Sequence, residues 1–283
     1  MFYYSFSDID RVEWLRSICE VRNLVIEDPQ GISFVFENIP ETSVRPEHLV
    51  PLACLIEHLN QKGIPVSVHR DATGRTLLEK YNLREYWGGK KNYSQSIDET
   101  VLNLQRVLED EKEFHGIRVS EYLKNRFFQK KDLTPVGNSL TEAYYNIFDH
   151  AKAKGNAFSM LSFDREKEEL YVAVCDFGIG IARTVKEYLH SDMDDASAIE
   201  KAMENNFTIR STTHNSGLGL GNILGSCTDK DTLWIISNSV AIAANSAGRK
   251  VKPLGFEFEG TLIFYSMSLS HFDDEEILDD FNL

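Results

Sequence analysis

The chain has 283 residues, of which 42% are hydrophobic and 11% aromatic, so it can bury a substantial core and is not disordered in composition. A formal net charge of -14 argues against broad contact with nucleic-acid phosphates, which would need a basic surface. No secretory signal, membrane-length apolar run or CxxC pair is visible. We therefore expect a cytoplasmic protein with reduced thiols that binds neither nucleic acid nor membrane.

Alternating strands and helices are predicted over the first third of the chain. The predicted elements are a strand over 32–36, a helix from Pro46 to Leu59, a strand over 64–68 and a helix over 74–81. Because a helix connects the two strands, they are expected to be parallel. The polar, glycine-rich segment 87–92 predicts a linker, so we place a first, small α/β domain at residues 1–95.

A second and larger α/β domain is predicted over residues 96–271, followed by an acidic tail over 272–283. Its predicted elements are mostly helical structure over 98–130, a helix over 139–154, strands over 157–163 and 170–175, a loop-and-helix region to Gly221, and strands over 233–237 and 261–266. The helical prediction for the first of these segments depends on an apolar stripe that begins at Val101 and Leu104.

Three polar side chains lie four residues apart in the predicted helix 139–154. Glu142, Asn146 and His150 therefore share one helix face. A carboxylate, an amide and an imidazole in a row form a polar stripe that could carry chemistry, although the same stripe is also typical of a solvated helix face.

Three further short motifs contain glycine. They are Asp176-Phe177-Gly178-Ile179-Gly180, Ser216-Gly217-Leu218-Gly219-Leu220-Gly221-Asn222 and Gly260-Thr261. The first follows a predicted strand directly, and its glycines suit the close approach of a flat ligand to the backbone. The second offers unpaired backbone N–H groups to phosphate. It is not a Walker A loop, because no GKS or GKT follows, and no apolar strand leads into it as a dinucleotide fingerprint requires.

The order and spacing of these motifs resemble those of the GHKL ATPases, the family of gyrase, MutL and the catalytic domains of sensor kinases. Asn146 precedes Asp176 by 30 residues, Gly217 follows Asp176 by 41, and the Gly-Thr pair lies on a late strand. The resemblance covers about residues 110–270. It implies a mixed sheet with helices on one face, and ATP bound between residues of the sheet and a lid.

The resemblance also implies a role for each motif residue. Asn146 would be the side-chain ligand of Mg²⁺, Glu142 the general base or water-orienting carboxylate, and Asp176 the acceptor for the adenine amino group. The other implied nucleotide-binding residues are His150, Gly178, Gly180, Thr208, Arg210, Ser216, Gly217, Leu218, Gly219, Leu220, Gly221 and Thr261. Thr261 would support Asp176, and residues 181–215 would form the lid. Mg²⁺ prefers oxygen ligands, and phosphoryl transfer needs mainly positioning and charge neutralisation.

The N-terminal unit resembles a STAS domain, the fold of anti-sigma-factor antagonists. The resemblance depends on the strand that starts at Ile32, the helix from Pro46, the strand ending at Val68 and the segment 77–83. The Asp-Ser-Ser-Gly phosphorylation turn typical of that family is missing, and Glu41-Thr42-Ser43-Val44 stands near its place. An unrelated α/β unit remains the alternative.

The sequence leads to three functional hypotheses. The first is a Mg-ATP-binding regulatory ATPase whose nucleotide state controls a conformation or a protein partner. The second is a serine/threonine protein kinase of the anti-sigma-factor type, which the Glu142–Asn146–His150 spacing favours over a sensor histidine kinase. The third is a switch that binds ATP without hydrolysing it. All three imply ATP, Mg²⁺ and a regulatory protein partner, and all are compatible with a homodimer.

Overall fold

A computed structural model describes residues 1–28, 30–79, 81, 101–106, 112–150, 157–204, 207 and 219–272 of the chain. The α/β class predicted from the sequence is confirmed, with one parallel and one antiparallel sheet. No helix in this described part is both long enough and apolar enough to cross a membrane. The predicted linker 87–92, the domain boundary at residue 95 and almost all of the acidic tail lie outside the described residues.

The N-terminal unit is built on a three-stranded parallel sheet with the strand order β1-β2-β3. Its elements are β1 Phe2–Phe6, α1 Arg11–Asn23, β2 Ile32–Phe36, a 3-10 turn Glu41–Ser43, α2 Pro46–Gln61, β3 Val66–Val68 and α3 Ala72–Glu79. The predicted parallel pair of strands is confirmed as β2 and β3. The sequence prediction missed β1 and α1, although Asp10 caps α1 by accepting hydrogen bonds from the N–H groups of Val12 and Glu13.

The second unit is built on a five-stranded sheet with the order β4-β5-β6-β8-β7. Its elements are β4 Val101–Arg106, α4 Lys112–Phe127, α5 Thr134–Tyr145, a π-helical turn Asn146–His150, β5 Ala157–Asp164, β6 Glu169–Asp176, α6 Ile181–Leu189, α7 Asp195–Ala202, α8 Gly219–Gly225, β7 Thr232–Asn245, β8 Gly248–Ser268 and a 3-10 turn Leu269–His271. Every strand pair in the described part of this sheet is antiparallel, which differs from the mixed sheet that the resemblance implied.

Two boundaries differ from the sequence prediction for identifiable reasons. The helical prediction is wrong for Val101–Arg106, which forms a strand on β5 with Leu104 fully buried. Pairing with a sheet edge outweighs local periodicity over so short a segment. The helix predicted over 139–154 begins earlier, at Thr134, and its regular α-helical part ends at Tyr145, where the π-helical turn follows.

The five-stranded sheet is covered on both faces, whereas the sequence predicted helices on one face. Helices α4 to α8 pack on one face, and α1 and α2 of the N-terminal unit pack on the other. Helix α2 contacts β3 of the parallel sheet as well as β5, β6 and β8, so it lies between the two sheets. Leu49, Leu52 and Leu55 are fully buried there. Such all-round burial is typical of a helix that carries apolar residues on more than one face.

Candidate nucleotide-binding site

The fold brings the predicted motifs into one neighbourhood. The turn Asn146–His150 contacts both β6 and α6, and the preceding helix α5 packs against α8. Asp176, the last residue of β6, is paired with Thr261 on β8. The described parts of motifs that lie far apart in the sequence therefore belong to elements that contact one another in the second unit.

Asp176 is the most unusual polar residue of this neighbourhood. Its side chain is 0% exposed, and one carboxylate oxygen accepts a hydrogen bond from the Gly178 N–H at 2.5 Å. The other oxygen, Oδ2, is buried and has no hydrogen-bond partner among the described residues. Burial raises the pKa of Asp176 to about 8, against the opposing effects of the Gly178 and Thr261 backbone and of the Arg22 charge. Among the described residues, Oδ2 therefore lacks a donor within hydrogen-bond geometry, although the Thr261 N–H lies near enough to lower the pKa of the carboxyl group.

Two glycines around Asp176 hold backbone that other residues could not adopt without strain. Gly180 has a φ of 88°, and a Cβ there would lie 2.5 Å from Asn238 Oδ1. Gly260 has a φ of 144°, and a Cβ there would lie 2.2 Å from the Asp176 carbonyl oxygen. Glycine is required at both positions because of both the dihedral angle and the space. Gly260 therefore packs directly on the Asp176 backbone, and Gly180 packs against the side chain of Asn238.

Two residues of β7 fix the loop after Asp176, and the sequence prediction missed both. Ser237 Oγ accepts a hydrogen bond from the Ile181 N–H at 2.9 Å. Asn238 donates from Nδ2 to the Ile179 carbonyl oxygen at 3.1 Å and accepts from the Arg183 N–H at 3.3 Å. Asn238 has a φ of 54° and lies where the register between β7 and β8 shifts. Such bulges frequently change the direction of side chains beside functional sites. In the sequence, a Ser-Asn pair in an otherwise apolar strand was the signal that could have identified these two residues.

Thr261, which was predicted to support Asp176, also supports the loop that follows it. Its Oγ1 accepts a hydrogen bond from the N–H of Ile181, the residue directly after the Asp176 motif, at 3.2 Å. Its backbone is in register with Asp176, and its N–H lies near the carboxylate. Thr261 therefore positions the loop after Asp176 through a direct hydrogen bond to that loop.

The polar helix stripe begins on α5 and ends in the π-helical turn. Asn146 is only 3% exposed, and its Nδ2 donates to the Glu142 carbonyl oxygen at 2.7 Å. This bond fixes the amide orientation, so Oδ1 is the atom that could ligate a cation. Glu142 is half-buried one turn earlier on the helix. The backbone of His150 belongs to the turn, but its side chain lies outside the described part. Single π-helical turns occur often at functional sites.

The glycine loop is described only in its last part. Gly219, Leu220 and Gly221 open α8, and Leu220 is fully buried in the core that also contains α5. The predicted phosphate-binding and lid residues Thr208, Arg210, Ser216, Gly217 and Leu218 lie outside the described residues.

The predicted lid over residues 181–215 is wrong for its first half. Ile181–Leu189 and Asp195–Ala202 are helices whose Ile181, Val185 and Ile199 are fully buried. Lys186 Nζ lies 2.6 Å from Asp195 Oδ1, which ties the two helices together. Because this half of the segment is part of the core, it is not a lid, and only residues beyond Ala202 remain candidates for one.

Within the described ranges, no group of three or more His, Cys, Asp or Glu side chains could hold a metal ion. This finding does not conflict with the predicted Mg²⁺ site, which requires one amide oxygen from the protein and phosphate oxygens from the nucleotide. No protein-family model and no curated protein sequence matches the chain. The assignment of the site therefore depends on its chemistry and geometry.

Proposed function

We propose that this chain is a Mg-ATP-binding regulatory ATPase, in which the nucleotide state controls a conformation or a protein partner. The observation that supports it best is the carboxyl group of Asp176, which is fully buried and has one oxygen that receives no hydrogen bond from the described part of the chain. Leaving a buried polar atom unpaired costs about 1–3 kcal/mol. A ligand that donates an N–H to Oδ2 would recover that free energy, so the site is suited to such a ligand.

The surroundings of Asp176 favour a flat base that carries an amino group. Gly178, two residues after the carboxylate, carries no side chain, whereas the place that a Gly180 side chain would take is filled by Asn238 and Ser237. The adenine ring of ATP is planar and has an exocyclic amino group that can donate to Oδ2. Loss of that charge-assisted hydrogen bond is worth roughly 1.5–3 kcal/mol. Asp176 would therefore select adenine, as the GHKL resemblance implies.

The residues of the helix stripe would act at the phosphate end of the nucleotide. Mg²⁺ bound to ATP supplies neutralisation of the phosphate charge, and Asn146 Oδ1 is the protein oxygen suited to hold it. Glu142 lies one turn away on the same helix, so its carboxylate could orient the attacking water and accept its proton. Binding and chemistry are thereby assigned to two different side chains.

The proposal is tested by measuring ATP affinity by calorimetry, and phosphate release, with and without Mg²⁺. Glu142→Ala is expected to keep its ATP affinity, because a carboxylate beside a triphosphate repels it, while turnover falls by about 10²–10⁴-fold. Asn146→Ala is expected to weaken Mg²⁺-dependent binding itself. Glu121→Ala changes an exposed carboxylate on the neighbouring helix α4 and serves as the matched control.

Each result of this experiment decides between the functional hypotheses. A wild-type protein that binds no adenine nucleotide overturns the proposal. A protein that binds ATP but releases no phosphate is either a switch or a kinase, and transfer of labelled γ-phosphate to a protein identifies the kinase. Normal turnover of Glu142→Ala would show that this carboxylate is not catalytic.

A further inference from the structure

Helix α1 of the N-terminal unit reaches the loop that follows Asp176. Arg22 lies in the last turn of α1, and its side chain is only 14% exposed. Its guanidinium carbon lies 4.5 Å from the centroid of the Phe177 ring, within the range of a cation–π interaction. Phe177 is the residue directly after Asp176. One arginine from a separate structural unit therefore holds the loop that would bind the base.

The same guanidinium also holds the opposite strand. Arg22 Nη1 donates a hydrogen bond to the Glu259 carbonyl oxygen, and Nη2 lies 3.4 Å from Glu259 Oε2. Glu259 immediately precedes Gly260, which packs on the Asp176 backbone, and Thr261, which is in register with Asp176. Arg22 therefore joins the two chain segments that form the surroundings of the Asp176 carboxyl group. A guanidinium can do this because it offers both a flat face and several fixed N–H donors.

Helix α2 completes the enclosure of Phe177. The His58 ring lies edge-on to Phe177 with 6.0 Å between centroids, and Phe258 of β8 lies edge-on at 6.1 Å. Burial lowers the pKa of His58 to about 4, so its ring is neutral near neutral pH. Cys54 of α2 donates from Sγ to the carbonyl oxygen of the residue before Asp176, at 3.4 Å. The N-terminal unit thus contacts the chain on both sides of Asp176.

We propose that Arg22 is a positioning residue of the nucleotide site and that docking of the N-terminal unit through Arg22 raises the affinity for ATP. This inference depends on the proposed function. Binding at one place and docking at the other are linked reciprocally, so ATP strengthens the docking of α1 by the same factor. A partner that pulls α1 away from Phe177 and Glu259 would weaken nucleotide binding, which gives the regulatory protein partner a physical route to the site.

The electrostatic role of Arg22 acts in the same direction as its contacts. Its positive charge lowers the pKa of Asp176, against the larger effect of burial. Adenine binding requires the carboxylate as an acceptor, so removing this charge reduces the fraction of protein that is ready to bind. Arg22 therefore affects both the geometry and the ionisation of Asp176.

The test compares variants of the full chain by calorimetry with ATP. Arg22→Ala is expected to weaken ATP binding by about fivefold or more, the lower end of typical coupling between sites. Arg22→Lys keeps the charge but loses the planar face, so it should recover part of the affinity. Arg16→Ala is the matched control, because Arg16 lies on the same helix and also contacts β8, through the Leu254 carbonyl oxygen and the Phe256 ring.

Two further measurements separate positioning from general stability. Amide hydrogen exchange of α1 should slow when ATP binds to the wild-type protein and stay unchanged when ATP is added to Arg22→Ala. The pH midpoint of ATP affinity should move upward in Arg22→Ala and not in Arg16→Ala, which a purely structural role of Arg22 would not produce. Thermal melting shows whether each variant is folded. If Arg22→Ala is not folded, the ATP affinity of Arg22→Lys and the hydrogen exchange of the wild type test the inference instead.

The outcomes distinguish this inference from the function on which it depends. If the wild type binds ATP and Arg22→Ala binds it as tightly as Arg16→Ala does, the inference is overturned and the proposed function stands. If ATP does not slow exchange of α1 in the wild type, the docking half of the inference is overturned. If the wild type binds no adenine nucleotide, both the proposed function and the inference are overturned.

Discussion

The raised pKa of Asp176 should make the proposed binding of adenine stronger at higher pH. Burial raises the pKa to about 8, so the carboxyl group of the empty protein is mostly protonated near neutral pH. Oδ1 accepts the Gly178 N–H, so the neutral carboxyl group carries its proton on Oδ2, and an adenine amino group that donates to Oδ2 should displace that proton. Below the pKa, each unit of pH should change affinity by up to about tenfold. Raising the pH from about 6 to about 8 should therefore strengthen binding by up to about 50-fold, because half of the groups are ionised at the pKa.

The same group gives the empty protein a stability that decreases as the pH rises. The native state keeps a proton that the unfolded chain loses above its ordinary pKa of 3.8, so the free energy of unfolding falls between about pH 4 and about pH 8. Near pH 7 this penalty is at most about 4 kcal/mol. Asp176→Asn cannot ionise, so it should be more stable than the wild type at about pH 7–8 while losing adenine binding.

Asp231 provides a control with the opposite expected sign. It is also buried, but its two oxygens accept hydrogen bonds from the N–H groups of Thr228 at 2.6 Å and Ser268 at 2.8 Å. Asp231→Asn loses charge-assisted bonds and should therefore be less stable than the wild type by about 2 kcal/mol. The pair compares two buried aspartates that differ in whether both oxygens are satisfied.

The assay combines thermal or urea unfolding across the pH range with calorimetric binding of adenosine, which has no phosphate that titrates. Calorimetry in two buffers of different ionisation enthalpy reports the proton released. Adenosine affinity that does not change with pH would refute the ionisation argument. If Asp176→Asn bound ATP as the wild type does, Asp176 would not be part of the site.

Two other predictions concern the packing around the site. Gly260→Ala should lower the free energy of unfolding by about 2 kcal/mol or more, because a Cβ there would meet the Asp176 carbonyl oxygen at a strained φ, whereas Gly225→Ala, with open space around it, should be close to neutral. Equal denaturant midpoints for the two variants would contradict this. A fragment beginning at residue 96 should aggregate, because loss of α1 and α2 exposes a sheet face that includes Phe158, Met160 and Phe264. A monomeric fragment with a cooperative unfolding transition would show that this sheet face is stable without α1 and α2.

The sequence predicted best those elements whose side-chain pattern is set locally. Strands β2, β5 and β6 and the helix α2 lie close to their predicted bounds, because uninterrupted β-branched and apolar runs bounded by polar residues or glycine leave few alternatives. The carboxylate at the end of β6 and the glycines after it were found for the same reason. The roles proposed for these residues came from the order of the motifs along the chain. This order stays the same even when the predicted bounds of an element are wrong.

The sequence could not predict features that depend on pairing between distant segments. Val101–Arg106 has helical spacing and becomes a strand because β5 offers an edge. The predicted lid contains Ile181–Leu189, whose apolar stripe is recognisable only once its partner surface is known. Arg22 carried no motif at all, because its role is defined by a ring and a carbonyl group that lie more than 150 residues away in the sequence.

The motifs led to a predicted domain boundary at residue 95, but residues from both sides of that boundary contribute to the surroundings of Asp176. All the motif residues belong to the second unit, yet the buried state of Asp176 also depends on helices that come before residue 62. Cys54 and Arg22 contact the chain immediately before and after Asp176, and helices α1 and α2 share one hydrophobic core with β5, β6 and β8. Burial sets the direction of the Asp176 pKa and the Arg22 charge moderates it. A change in how the N-terminal unit docks is therefore expected to change the pKa of the residue proposed to recognise adenine.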